Sequence, residues 1–207
     1  MIPNKMDRDL PSDSWALAAD LITLRSQLLD LFCKEAYKEG DFVLSSGQHS
    51  SYYINSKPVT LHPQGALAIA RLLLPLLPKD TQAVAGLTLG ADPIVSAVSV
   101  VSAYEGCPIK ALIVRKEAKG HGTRAYIEGP CLPEDSKVVV LEDVVTTGES
   151  ALKAVNRLRE SGCKVDRIIT LVDRHQGGSE LYESLGLEFQ SIFSISDIKE
   201  RYKQILS

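Results

Sequence analysis

Residues 138 to 150 read VVVLEDVVTTGES. An unbroken apolar run meets two adjacent acids, Glu142 and Asp143. Val144 and Val145 follow, then Thr146, Thr147, Gly148, Glu149 and Ser150. A strand that is apolar without alternation belongs in a parallel sheet covered on both faces. Ligands of such sheets bind at the carboxyl ends of the strands, and here that end carries the acid pair. The small-residue turn after it leads into a helix expected to begin near Gly148. A helix start of this kind offers several backbone N–H groups and a positive dipole end, which suits a phosphate. No lysine lies in the turn, so it is not a P-loop. Carboxylates repel a phosphate but accept hydrogen bonds from hydroxyls. An anion cradle beside a twin acceptor therefore suggests a ribose 5-phosphate, held by its 5′-phosphate and its 2′,3′-diol. A plainer reading makes Thr146 and Glu149 a capping box, but it leaves two acids at the end of a buried strand unexplained.

A second cluster lies upstream. Between Lys110 and Arg124 five cations (Lys110, Arg115, Lys116, Lys119 and Arg124) face Glu117 alone, a local +4 in a chain of net charge −3. His121 lies within it, between Gly120 and Gly122. Taken alone, such a run could be a solvated face. Downstream of a strand and beside an anion cradle it reads as part of a site.

Strand–helix alternation must position both clusters. AVAGLTLG, IKALIVRKE, KVVVLED, VDRIITLVDR and FQSIFSI read as strands, with helices over ADPIVSAVSVVSAYEG, TTGESALKAVNRLRESG, a short stretch from Gly178 to Gly186, and SDIKERYKQILS. That pattern predicts an α/β fold with a five-strand parallel core. Ahead of it, apolar residues at helical spacing from Leu17 to Phe32 predict one amphipathic helix over 15–37. FVLSSGQHSSYYIN reads as two short strands about a Ser-Gly turn, and PQGALAIARLLLPLL as a helix with Pro63 in its first turn.

The 207 residues suit one domain. Residues 1–14 read as a tail. Residues 15–207 form the domain, with a hood from about 15–60 plus the C-terminal part and a core over about 61–190. A net charge of −3 argues against a general nucleic-acid binder. ARLLLPLLP is far shorter than the roughly 20 residues of a membrane span, and the polar start MIPNKMDRDLPSDS is unlike a signal peptide. Cys33, Cys107, Cys131 and Cys163 form no CxxC clip and are expected to be small buried hydrophobes in a reducing compartment. A cytoplasmic protein is expected.

VVVLEDVVTTGES resembles the phosphoribosyl diphosphate (PRPP) motif of the type I phosphoribosyltransferases at nearly every position. The resemblance implies that Glu142 and Asp143 grip the ribose hydroxyls, that the threonine–glycine turn holds the 5′-phosphate, and that Val144, Val145, Thr146, Thr147, Gly148, Glu149 and Ser150 all belong to the PRPP-binding segment. VRKEAKGHGTRAYIEG resembles the catalytic loop of the branch that acts on orotate. By that likeness Arg115, Lys116, Lys119 and His121 contact the diphosphate. Lys119, His121 and Arg115 are the expected catalytic residues, and some of them would reach a neighbouring subunit's site in a homodimer. DFVLSSGQHSSYYIN resembles the signature lining the base pocket, and GLTLGADPI a segment that approaches the diphosphate through its backbone. VDRHQGG resembles the strand end whose arginine, here Arg174, pairs with the orotate carboxylate, and Thr146 would also meet the base. Ser45 and Leu89 stand where some members carry lysine.

The family implies a type I phosphoribosyltransferase fold, PRPP and orotate as substrates, and Mg²⁺ bound mainly through PRPP and water, without dedicated protein ligands. The chemistry agrees with the residues: transfer at ribose C1 passes through an oxocarbenium-like state, and a +4 segment can neutralise the departing diphosphate. His121 could donate a proton, and loop closure would exclude water. A transferase for another base and a PRPP-sensing regulator without enzymatic activity are the rival readings. Arg174 and the basic segment speak against the first; the basic segment and the net charge of −3 speak against the second.

Overall fold

A computed structural model describes residues 14–43, 49–119 and 126–207. In chain order the elements are α1 (Trp15–Ala18), α2 (Leu21–Leu31), β1 (Tyr37–Val43), β2 (His49–Ile54), α3 (Lys57–Thr60), α4 (Pro63–Leu73), β3 (Ala83–Leu87), α5 (Asp92–Tyr104), β4 (Lys110–Val114), β5 (Ile127–Glu128), β6 (Lys137–Val145), α6 (Glu149–Glu160), β7 (Lys164–Asp173), α7 (Gly178–Ser184), β8 (Glu188–Ser194) and α8 (Ile195–Leu206).

The main sheet has the order β5-β4-β3-β6-β7-β8. The five strands expected from the sequence pair in parallel. The two-residue β5, which the sequence reading did not anticipate, adds antiparallel to β4. Strand order runs outward in opposite directions from the β3–β6 pair, which makes that junction the topological switch point where α/β sheets bind ligands. Successive residues of β6 serve opposite layers. Val139 and Leu141 join a core with Leu24 and Leu28 of α2, Ile69 of α4 and Ile94 and Val98 of α5. Val138 and Val140 join a second core with Ala151, Val155 and Leu158 of α6 and Tyr182 of α7. A strand buried on both sides needs apolar residues at every position, which is why VVVL shows no alternation.

β1 and β2 form a separate antiparallel hairpin. The Ser-Gly turn expected between them falls at 44–48, outside the described residues, as does the tail over 1–13. The C-terminal helix packs against this N-terminal region. Arg201 of α8 pairs with Asp30 of α2 at 2.6 Å, and the rings of Tyr37 and Tyr202 meet edge-on at 5.0 Å.

Three expectations need correction. The single helix over 15–37 is two helices and a wider π-type turn at Phe32–Ala36. Asp20 divides them, because its carboxylate accepts from the backbone N–H groups of Ile22 and Thr23, each at 2.9 Å, and so starts a new helix. Leu17 and Leu21 flank that break and are exposed, whereas Leu24, Leu28 and Phe32 are buried. Tyr37 opens β1 instead of closing the helix. Of the cysteines only Cys33 is fully buried; Cys107 and Cys131 are exposed because they fall in connecting turns. Burial, and then the nearby Asp30 charge, push the Cys33 thiol up to about 11, so it stays protonated and inert.

Candidate active site

The acid pair lies where β6 leaves the core. Glu142 is 6% exposed, and its Oε2 is buried without a hydrogen-bond partner among the described residues. An unsatisfied buried polar atom costs about 1–3 kcal/mol, so this oxygen is an acceptor that a ligand hydroxyl would satisfy. Burial, then the Asp143 charge, push the Glu142 carboxyl well above the usual carboxylate range; the Lys116 charge pulls it back.

Asp143 is held on two sides. The buried hydroxyl of Ser56 donates to its Oδ2. Gly90 lies so close that a Cβ there would stand 2.5 Å from Asp143 Oδ1. The segment between the hairpin and α4 and the turn after β3 therefore both converge on this carboxylate. In that turn the Thr88–Leu89 peptide is cis, Thr88 Oγ1 donates to Asp92 Oδ2 at 2.7 Å, and Leu89 is exposed.

β6 continues through Val145, and Gly148 begins α6 with φ +88°, with no side-chain cap. The capping-box alternative for Thr146 and Glu149 is thus not formed. Left-handed φ favours glycine, and a Cβ on Gly148 would lie 2.9 Å from Tyr182 Cζ. Tyr182 is fully buried and donates its hydroxyl to the Gly148 carbonyl at 2.9 Å. Gly178 backs the same turn, where a Cβ would be 2.3 Å from Val145 Cγ1. Glu142, residues 144–151 and Tyr182 line a cavity of about 80 Å³, the room of roughly two to three waters and enough for one phosphate group.

Arg174 follows β7 and is tied to the same tip: its N–H donates to the Val145 carbonyl at 3.0 Å. Its Nε donates to the Tyr52 hydroxyl at 3.0 Å. Arg174 forms no ion pair with the adjacent Asp173, whose Oδ1 accepts from the His175 backbone N–H at 2.9 Å. Lys199 of α8 lies 4.4 Å from the centroid of the Tyr52 ring, so two cations border one buried phenol.

The basic segment leaves β4 as an open stretch. The Arg115 N–H donates to the Tyr126 carbonyl at 2.7 Å. Glu128 of β5 receives Arg115 at 3.0 Å and Lys119 at 3.8 Å. These groups are solvent-exposed, and exposed pairs are worth about 0–1 kcal/mol, so a polyanion can take both cations over. His121, with Gly120, Gly122 and Arg124, lies outside the described residues, as does Ser45.

Sequence reasoning missed Ser56, Tyr182 and Arg157, all of which act on site residues through tertiary contacts. Only the Gly177–Gly178 pair hinted that something approaches the phosphate turn closely. No helix among the described residues is long and apolar enough to cross a membrane, and none of them forms a cluster of three or more His, Cys, Asp or Glu side chains that could hold a metal.

The mostly parallel sheet thus carries a buried acid pair and a small-residue turn at the start of a helix, both at its switch point. Residues 62–195 match the phosphoribosyl transferase domain family. An orotate phosphoribosyltransferase of Nostoc sp. is 72% identical over 194 residues, 94% of each chain. A crystal structure of the Mycobacterium tuberculosis orotate phosphoribosyltransferase matches with TM-score 0.76 and 38% identity, covering 84% of this chain and 98% of that one. The same M. tuberculosis enzyme in complex with PRPP matches at TM-score 0.72 and 34% identity, covering 85% and 99%. The chain belongs to the orotate phosphoribosyltransferase family.

Proposed function

We propose that the protein transfers the 5-phosphoribosyl group of PRPP to orotate, giving orotidine 5′-monophosphate and diphosphate. One observation carries the site assignment: a buried Glu142 oxygen, unpartnered among the described residues, beside an anchored Asp143 and opening onto a phosphate-sized cradle. Glu142 and Asp143 accept the ribose hydroxyls, and the N–H groups of the 146–150 turn bind the 5′-phosphate. The C1–O bond to diphosphate then breaks with its electron pair on the leaving oxygen, and orotate N1 bonds to C1 as it gives up its proton. Arg115, Lys116 and Lys119 neutralise the charge growing on diphosphate, with His121 placed in that role by family resemblance. Arg174 receives the orotate carboxylate, for which its planar fork is suited, and Thr146 borders the base. Mg²⁺, when bound, would lower the charge on the diphosphate, held mainly by donor oxygens and water. The oxygen-only pair Glu142 and Asp143 fits a hard cation on the ribose side. We also infer a homodimer in the cytoplasm, in which the basic segment serves a neighbouring site.

Ultraviolet absorbance tests the reaction. Orotate should be consumed on adding PRPP with Mg²⁺ and should persist when EDTA is present. Consumption of uracil or adenine with orotate ignored would overturn the choice of base.

A further inference from the structure

We propose that Arg157 is a positioning residue for the diphosphate half of the site, an inference that rests on the reaction just described. Arg157 lies on α6, the helix whose first residues form the phosphate cradle, about 12 Å further along at 1.5 Å per residue. Its guanidinium donates through one NH₂ group to the Arg115 carbonyl and through the other to the Lys116 carbonyl, the latter at 3.0 Å. Its Cζ stacks 3.9 Å from the centroid of the Tyr126 ring. Tyr126 in turn accepts from the Arg115 N–H at 2.7 Å. One planar group thus binds the Arg115 and Lys116 carbonyls and the Tyr126 ring at once, and fixes two consecutive peptide units whose side chains are candidate diphosphate ligands.

An arginine on a helix surface more often pairs with an acid one turn away. Glu160 stands three residues on, at that spacing, yet among the described residues Arg157 forms no salt bridge. Arg159 on the same helix provides the contrast. Its guanidinium bonds the carbonyl of Val165, near the start of β7, with Nε at 3.0 Å, and among the described residues none of its hydrogen bonds reaches the basic segment. Lysine could not replace Arg157, because a point charge on a flexible stem cannot bridge two carbonyls while stacking on a ring. Since both carbonyls belong to the stem, losing the clamp shifts Arg115 and Lys116 together. Misplacement by about 1 Å can cost on the order of 100-fold in rate.

The test compares Arg157→Ala, Arg157→Lys and Tyr126→Leu with wild type and with Arg159→Lys. Calorimetric binding of diphosphate and of orotidine 5′-monophosphate is measured alongside steady-state kinetics. Each clamp variant should weaken diphosphate binding and lower kcat/KM for PRPP by at least about fivefold, with orotidine 5′-monophosphate binding within about twofold of wild type. Arg159→Lys should match wild type in both ligands. Should Arg157→Ala fail to fold, Arg157→Lys and Tyr126→Leu decide the matter. Diphosphate affinity unchanged in both would overturn the proposal, as would an equal loss for both ligands, which marks a general distortion of α6. A wild-type protein that ignores orotate would instead refute the reaction, whatever the clamp variants do to diphosphate.

Discussion

The two charged regions of the site are built in opposite ways. The acidic tip is rooted in the core: Glu142 is buried, Asp143 is bonded by buried Ser56, and Tyr182 supports Gly148 from behind. The described part of the basic segment beyond β4 lies on the surface. Lys119 keeps 72% of its side chain exposed, and its described ion-pair partner is the half-exposed Glu128. In the proposed reaction the sugar-phosphate end of the donor would meet groups already in place, one of them a buried oxygen without a hydrogen-bond partner among the described residues. The diphosphate end would meet groups that can change partners, and a site that must release diphosphate each turnover would gain from that asymmetry.

The largest effect is expected where the rigid region is broken. Asp143→Ala removes a charged acceptor and strands the Ser56 hydroxyl. We expect kcat/KM for PRPP to fall on the order of 100-fold, about 3 kcal/mol for charged hydrogen bonds, and steady-state kinetics checks it. Lys119→Ala should lower kcat by more than about tenfold, the ~1.4 kcal/mol step of transition-state arithmetic, while thermal stability stays within about 0.5 kcal/mol because the side chain is exposed. An unaltered kcat would remove Lys119 from the mechanism. Gly148→Ala forces an L-residue to φ +88° against Tyr182. A loss of about 1–2 kcal/mol for the left-handed conformation should lower Tm by roughly 2–8 °C, and an unchanged melt would contradict the packing described.

The smallest effect has the opposite sign. Glu142 has a folded-state pKa above its unfolded value, so the folded carboxyl binds protons more tightly. Its contribution is fully present below the unfolded value near 4.5 and is lost as pH rises through the folded value. Glu142→Gln keeps the shape without the charge. The apo variant should melt about 2–4 °C higher than wild type at pH 7.5, equivalent to about 1 kcal/mol, and this gain should vanish toward pH 4.5. Calorimetric melts across that range provide the check; a variant less stable at pH 7.5 would contradict the burial argument. Its donor affinity should nevertheless fall.

The rigid region was largely legible in the sequence, and the surface region less so. VVVLED announced a doubly covered strand with acids at its mouth because local pattern and tertiary burial agree there. The helix start at Gly148 was legible for the same reason. Ser56, Tyr182 and Arg157 were not, since their spacing in sequence carries no periodic signal and their partners lie 87, 34 and 41–42 residues away. The break at Asp20 was missed because an apolar period continued across it, although a cap residue stood in plain view. β5 escaped because two residues are too few for an alternation.

The central claim is that the end of β6 grips the sugar monophosphate independently of the basic segment. Titration of orotidine 5′-monophosphate, which carries no diphosphate, into wild type and into the Glu142→Gln/Asp143→Asn double variant tests it most directly. The account predicts at least about a tenfold loss of affinity in the variant, although removing two anions beside a phosphate should by itself favour binding, and a diphosphate affinity within about twofold of wild type. Undiminished binding of orotidine 5′-monophosphate to the double variant would contradict it.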